Sequence, residues 1–338
     1  MSEATVPGVE WTQAAPEAVG LDAGRLAEAK RAWDAWADGR PNRVAIVRGG
    51  QLAAHWCAGV DATAHLSLAS AGKSVFSTVL GIAVAEGIIG SADDKVVDTY
   101  PEMMDVPEGA GPKAGRFARE KDREITFRQL ISNTSGYLKP GELPGHVFHY
   151  QTLGMNILCN AIATQYGLYD SRDPQRLPGI SALIDEKIGK PIGADWTYHT
   201  WNFDHEPGAR TGIFGNYTSI DTTAADMARL GLLWLRRGRW GDRQIVPAAY
   251  VDEATRVAGP IREHESPDNW VYGQAFWTNE TGRLWPELPA DSYAARGAGR
   301  QFIWVCPSAD LVIVKSPGLF EKGEEHLHLL ADVLNAVK

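Results

Sequence analysis

Cysteine is scarce in this chain: Cys57, Cys159 and Cys306 are the only three in 338 residues. They are too few, odd in number and too far apart for a disulfide framework, which suits a reducing compartment and reads as three small apolar core residues. No apolar run reaches the length of a membrane span, and the opening MSEATVPGVEWTQAAPEAVG has neither the basic start nor the apolar stretch of a secretory signal. The expectation is a cytoplasmic protein with no membrane partner. Clustered Lys and Arg are missing as well, and a net charge of −9 argues against a nucleic-acid surface, because gripping phosphates requires concentrated positive charge. No repeat or low-complexity tract is visible.

What is present is ample material for a core, with 44% of residues apolar. RVAIVRGGQLAAHWC (43–57) places two apolar runs around Gly-Gly, a hairpin signal. A second hairpin is read from QFIWVC (301–306) and LVIVKS (311–316) around the turn PSAD, followed by helical spacing in EEHLHLLADVLNAV. Strands near both ends of the sequence imply one antiparallel sheet assembled from both. The middle reads as mostly helical, as in TTAADMARLGLLWLRRG (222–238), with surface loops near 105–120 and 258–269. The fold class expected is α+β: a sheet domain from 1–92 and 268–338, a mostly helical domain from 93–267, and an active site between them.

SLASAGKSVFST (67–78) carries the chemical question. Ser70 precedes about five turns of mostly apolar helix, and Lys73 follows one turn later on the same face. A lysine removed from water has its ammonium form disfavoured and can share or accept a proton near neutral pH. The alternative is a serine that caps the helix and a lysine that snorkels.

The wider context resembles a known family. FHYQTLGMNILCNAIATQYG places Tyr150 just before a second apolar helix, and SYAARGAGRQFIWV places glycines at the start of a late strand. This order resembles the serine β-lactamase-fold hydrolases, which carry Ser-x-x-Lys on a buried helix, then a tyrosine element, then Lys-Thr-Gly or His-x-Gly on an edge strand. LASAGKSVFSTVLGIAVAEGIIGSADDKVVDTYPEM, ITFRQLISNTSGY, SIDTTAADMARLGLLWLRRGRWGDRQIVP and GAGRQFIWVCPSADLVIV are similar to segments of the class C β-lactamase-like branch. Within it the chain is most similar to β-lactamase-type carboxylesterases and 6-aminohexanoate-dimer hydrolases. The resemblance implies a serine hydrolase that cleaves a small-molecule ester or amide. Its roles would be Ser70 as nucleophile, Lys73 and Tyr150 as a coupled proton carrier, and an oxyanion hole from the backbone N–H groups of Ser70 and Ala298.

The chain departs from the family pattern at two places that touch substrate choice. Tyr150-Gln151-Thr152 has a hydroxyl where β-lactamases hold a substrate amide with asparagine, so Thr152 is expected to contact substrate or orient Lys73. Ala295-Arg296-Gly297 lacks the leading basic residue that meets a β-lactam carboxylate; strand alternation turns Arg296 to the opposite face unless the backbone bulges. Both count against β-lactamase or D-alanyl peptidase activity. A binding protein that keeps the fold without turnover is the reading from another class, opposed by the intact Ser70, Lys73 and Tyr150.

Thr152, Arg296, Gly297, His149 and Trp201 are the expected substrate contacts, the last from WNFDHEPGAR (201–210), which also holds Asp204, His205 and Glu206. His146 and His149 have no carboxylate or cysteine nearby to complete a metal set, so neither metal nor cofactor is expected. Ser132 and Ser135 of SNTSG read as structural, and His326 and His328 as surface residues. Trp270, Trp277 and Trp285 cluster ahead of the last motif as core or as an acyl-pocket wall. The sequence leaves a homodimer open.

Overall fold

The computed structural model describes residues 6–201, 211–214, 217–317 and 325–338. Strands β1 (Asn42–Arg48) and β2 (Gln51–Ala58) form the first hairpin, turning through Gly49 and Gly50, whose φ values of 61° and 75° are the left-handed pair that a two-residue turn requires. Two strands, β3 (Leu66–Ser67) and β4 (Trp196–Trp201), pair with β5 (Tyr217–Thr222) in a separate three-stranded sheet. A minor hairpin joins β6 (Arg239–Trp240) to β7 (Arg243–Gln244). Late in the chain come β8 (Trp277–Thr278), β9 (Tyr293–Gly297), β10 (Gln301–Cys306) and β11 (Leu311–Lys315). The main sheet runs β2-β1-β11-β10-β9-β8, with every pair antiparallel. The β1–β11 pairing joins the two ends of the sequence, as the apolar runs imply.

Alternation along these strands divides the core in two. Val44, Ile46, Trp304 and Ile313 pack with Leu26 and Trp33 of the helix Ala23–Ala37 and with Leu330 and Val333 of the helix Glu325–Asn335. Ala45, Val47, Ile303, Val305, Val312 and Val314 enter the larger core, shared with the helices Gly72–Ala85, Leu153–Gln165 and Ala224–Leu235. The last of these lies almost on the sheet: a β-carbon at Gly231 would come 2.4 Å from Val312 Cγ1 and 2.9 Å from Ile303 Cγ2. The segment 93–267 therefore contributes a helix to the sheet's own packing as well as the short helices beside it.

Some local expectations change. The middle of the chain contains β4 and β5, which pair with each other, and β5 also pairs with the distant β3, a contact invisible to local pattern. Residues 259–264 form a helix with Pro260 in its first turn rather than a loop. Cys57 is exposed at the end of β2, whereas Cys159 and Cys306 are buried. Among the described residues, no helix is long and apolar enough to cross a membrane.

Candidate active site

A 3-10 turn, Ala69–Ala71, delivers Ser70 to the helix Gly72–Ala85. Ala69 just before it has φ 47°, a left-handed conformation that strains a non-glycine residue and persists only where surroundings enforce it. Those surroundings include Ser67 Oγ, which accepts from Ala69 N–H at 3.0 Å and lies 2.8 Å from Ser219 Oγ. No side-chain cap is made at the start of this helix, which removes the capping role for Ser70. Its Oγ instead accepts from Lys73 Nζ at 2.8 Å. Lys73 is 1% exposed, and burial lowers its pKa to about 8, slightly opposed by the Cys159 thiol. It does not snorkel.

Tyr150 reaches Ser70 from a loop. Lys73 Nζ lies 5.0 Å from the centre of the Tyr150 ring, and the Tyr150 and Ser70 side chains line one cavity. Burial raises the phenol's pKa above its ordinary value, while Ser70 and the charge of Arg296 oppose the rise. The ring contacts Tyr272 and Trp277, each at 5.9 Å between centroids. Asn133 holds the backbone on both sides: its C=O accepts from His149 N–H at 2.9 Å and its Oδ1 from Gln151 N–H at 3.0 Å. Its amide donates to Tyr272 Oη at 3.1 Å. Asn133 is buried with φ 59°, a conformation asparagine tolerates better than most residues.

The third wall is the end of β9. A β-carbon at Gly297 would come 2.2 Å from Leu68 O, 2.9 Å from Ala71 N and 3.1 Å from Ser70 N, so only glycine lets the strand lie against the backbone amide of Ser70. Ser70, Tyr150, Gly297 and Ala298 line one cavity of about 410 Å³ with Trp277, Arg296, Arg300 and Lys315. Arg296 pairs across the strands with Phe302, and Phe302 with Lys315. These three share the face opposite Ala295 and Ile303, as alternation requires, yet all line the cavity, which extends around the strand ends at 297–301. The expectation that alternation takes Arg296 away from the site is thereby corrected. Its guanidinium also lies 5.0 Å from the centre of the Trp277 ring.

The remaining candidates separate. Thr152 and His149 line a second cavity, on another side of Tyr150, and no hydrogen bond runs from the Thr152 hydroxyl to Lys73 among the described residues. Trp201 pairs with Tyr217 through its backbone; its side chain lies outside the described residues, as do Asp204, His205, Glu206 and the His326 side chain. His146 packs on His264 with ring centroids 4.1 Å apart. Trp285 is buried against Phe302, and Trp270 belongs to a satellite cluster with Tyr272. Ser132 donates to Arg128 C=O at 2.7 Å and Ser135 Oγ accepts from Tyr137 N–H at 3.3 Å. A larger cavity, about 500 Å³ beside Trp234 and Asp252, contains none of the expected site residues.

Residues 33–317 of the chain that carries this serine, buried lysine and tyrosine match a family model described as Beta-lactamase. The chain belongs to the β-lactamase family. Its fold is shared with a β-lactamase-like protein of Bacteroides dorei, at 18% identity and TM-score 0.67 over 93% of this chain and 99% of the other. A Bacillus anthracis protein assigned as a 6-aminohexanoate-dimer hydrolase matches at 17% identity and TM-score 0.66, covering 96% and 87%. A class C β-lactamase from Rhodobacter sphaeroides matches at 15% and TM-score 0.61, covering 93% and 99%. No curated protein matches the sequence. In this β-lactamase-family chain, sequence reasoning missed Asn133, Arg300 and Lys315. Only Asn133 carries a local signal, an asparagine suited to a left-handed turn between Ser132 and Thr134.

Proposed function

We propose that this chain is a metal-independent serine hydrolase acting on a small-molecule ester or amide through an acyl-enzyme on Ser70. The observation that carries the reading is the 2.8 Å contact between Lys73 Nζ and Ser70 Oγ, made by a lysine too deeply buried to be fully protonated above about pH 8. Ser70 Oγ attacks the substrate carbonyl while its proton passes to the coupled Lys73 and Tyr150 pair. Tyr150, on the open side, hands a proton to the leaving atom. The N–H groups of Ser70 and Ala298 receive the developing oxyanion, with Gly297 permitting the approach. Water then attacks the acyl-enzyme, and Tyr150 carries its proton.

Family membership and hydrolase-named neighbours support the reaction class. Ala295 in place of the leading basic residue, buried against the larger core, favours simple esters and amides over β-lactams. The test is labelling with a fluorophosphonate probe followed by peptide mapping. Stoichiometric modification of Ser70 is expected; modification elsewhere, or none, would falsify the mechanism.

A further inference from the structure

The second cavity beside Tyr150 has a charge pattern that the mechanism leaves unused. It holds about 300 Å³, and its wall includes Lys113, Arg116, Lys139 and His149 but no carboxylate. In a chain of net charge −9, two lysines, an arginine and a histidine face one opening that also presents Tyr150, Gln151 and Thr152.

Lys139 is the residue that points to a ligand. It is 4% exposed, and its Nζ lies 3.1 Å from Glu142 Oε2. The alignment is not that of a hydrogen bond, and neither atom has a hydrogen-bond partner. Glu142 is also shared: its Oε1 lies 3.1 Å from His149 Nδ1. Burial is the main cause holding Lys139 below the ordinary lysine pKa; Glu142 opposes it, and the positive fields of Arg116 and Lys121 add to the lowering. A buried cation whose one carboxylate neighbour also faces His149, beside the further positive charge of Arg116 and Lys121, is stabilised by an incoming anion.

We propose that this cavity binds a carboxylate carried by the substrate of Ser70, so that the hydrolase acts on acidic esters or amides. The charge balance favours a singly charged group: Glu142 offsets Lys139, 3.1 Å away, Lys113 is exposed where solvent screens it, and the charge of Arg116 remains. The guanidinium fork of Arg116 and the free hydroxyl of Thr152 suit two carboxylate oxygens. Tyr150 lines both cavities, so a molecule held by its carboxylate in one lies beside the proton carrier of the other. The consequence for specificity rests on the hydrolase reading; the binding itself does not.

Two pairs of esters test it. One pair is the p-nitrophenyl monoester of glutarate and its methyl ester, with the charge on the acyl side. The other is 4-(carboxymethyl)phenyl butyrate and its methyl ester, with the charge on the leaving side. In one of the two pairs the carboxylate form should be preferred at least about tenfold in kcat/KM, mainly through KM. Arg116→Ala and Lys139→Gln should each remove most of that preference while lowering the neutral ester by a smaller factor. Arg116 is only half-buried, so its variant remains informative if the Lys139 variant fails to fold. Equal rates within both pairs, or a preference that survives Arg116→Ala, overturn the proposal. Calorimetry of glutarate with Ser70→Ala protein separates the two readings. Binding that Arg116→Ala weakens about tenfold, in a protein whose wild type hydrolyses no ester, would uphold the anion cavity and remove the hydrolase.

Discussion

Lys73 and Tyr150 both address Ser70, but they are positioned by different means. Lys73 rides on a helix whose residues Gly72 to Ala83 are all buried, so packing fixes its place and the absence of water sets its proton affinity. Tyr150 is 37% exposed and sits on a loop whose place depends on hydrogen bonds to Asn133 and on contacts with Tyr272 and Trp277. The difference follows from access. A group that must be desolvated belongs inside the core, whereas a group that meets the leaving atom must stand where substrate enters. In the proposed reaction one carrier therefore tunes the proton's energy and the other directs its delivery.

The strongest way to break this comparison is to remove each group in turn. Ser70→Ala, Lys73→Ala and Tyr150→Phe should each lower kcat/KM for a p-nitrophenyl ester by at least about a hundredfold with the fold intact by circular dichroism. A Tyr150→Phe protein with wild-type rates would leave Lys73 as the sole carrier.

A smaller effect sharpens the loop's side. Asn133→Ala should lower kcat by about tenfold, because the side-chain anchor to Gln151 N–H is lost and alanine is strained at the left-handed backbone that holds His149, while Ser70, Lys73 and Tyr150 stay present. Since Asn133 acts through Tyr150, the double variant with Tyr150→Phe should be no slower than Tyr150→Phe alone. Additive losses would make Asn133 a general stability residue.

The smallest effect concerns the helix. Because the folded pKa of Lys73 lies near 8 and the unfolded value is about 10.4, the unfolded chain binds more protons between those values. Stability should therefore rise with pH from about 8 to about 10.4, and the burden of the buried ammonium is complete below 8. Replacing it with an uncharged side chain of similar size, Lys73→Met, should raise the melting temperature at pH 7 by roughly 2–4 °C while abolishing turnover. Wild-type kcat/KM should climb to a plateau with a midpoint near pH 8. A flat profile together with an unchanged melting temperature would show that Lys73 is already neutral at pH 7.

Much of this was legible before any coordinates. The Gly-Gly hairpin, the apolar helix after Ser70 and the glycine beside Ala298 are local signals, because turn geometry, helical period and close approach are each written in neighbouring residues. Family resemblance added the link between Ser70, Tyr150 and Gly297. What stayed hidden depends on contacts between distant segments. Lys315 reads as the end of an apolar strand, and only the pairing of β9, β10 and β11 aligns it with Phe302 and Arg296. Lys139 reads as an ordinary loop lysine; its burial beside Glu142 follows from the packing of the loop that holds Tyr150. Alternation gave the correct sheet face for Arg296, but not that a cavity bends around the strand end.

The pairing of β1 with β11 also sets an order in time. Ser70 and Lys73 can meet within one turn of helix as soon as that helix forms, whereas the wall carrying Gly297 and Ala298 is made near the far end of the chain. The centre of the main sheet cannot close before β10 and β11 have been synthesised, and such long-range pairing forms late and slowly. During synthesis the contact between Ser70 and Lys73 therefore precedes the wall of Gly297 and Ala298, and the cavity between them is complete only once the last hairpin docks.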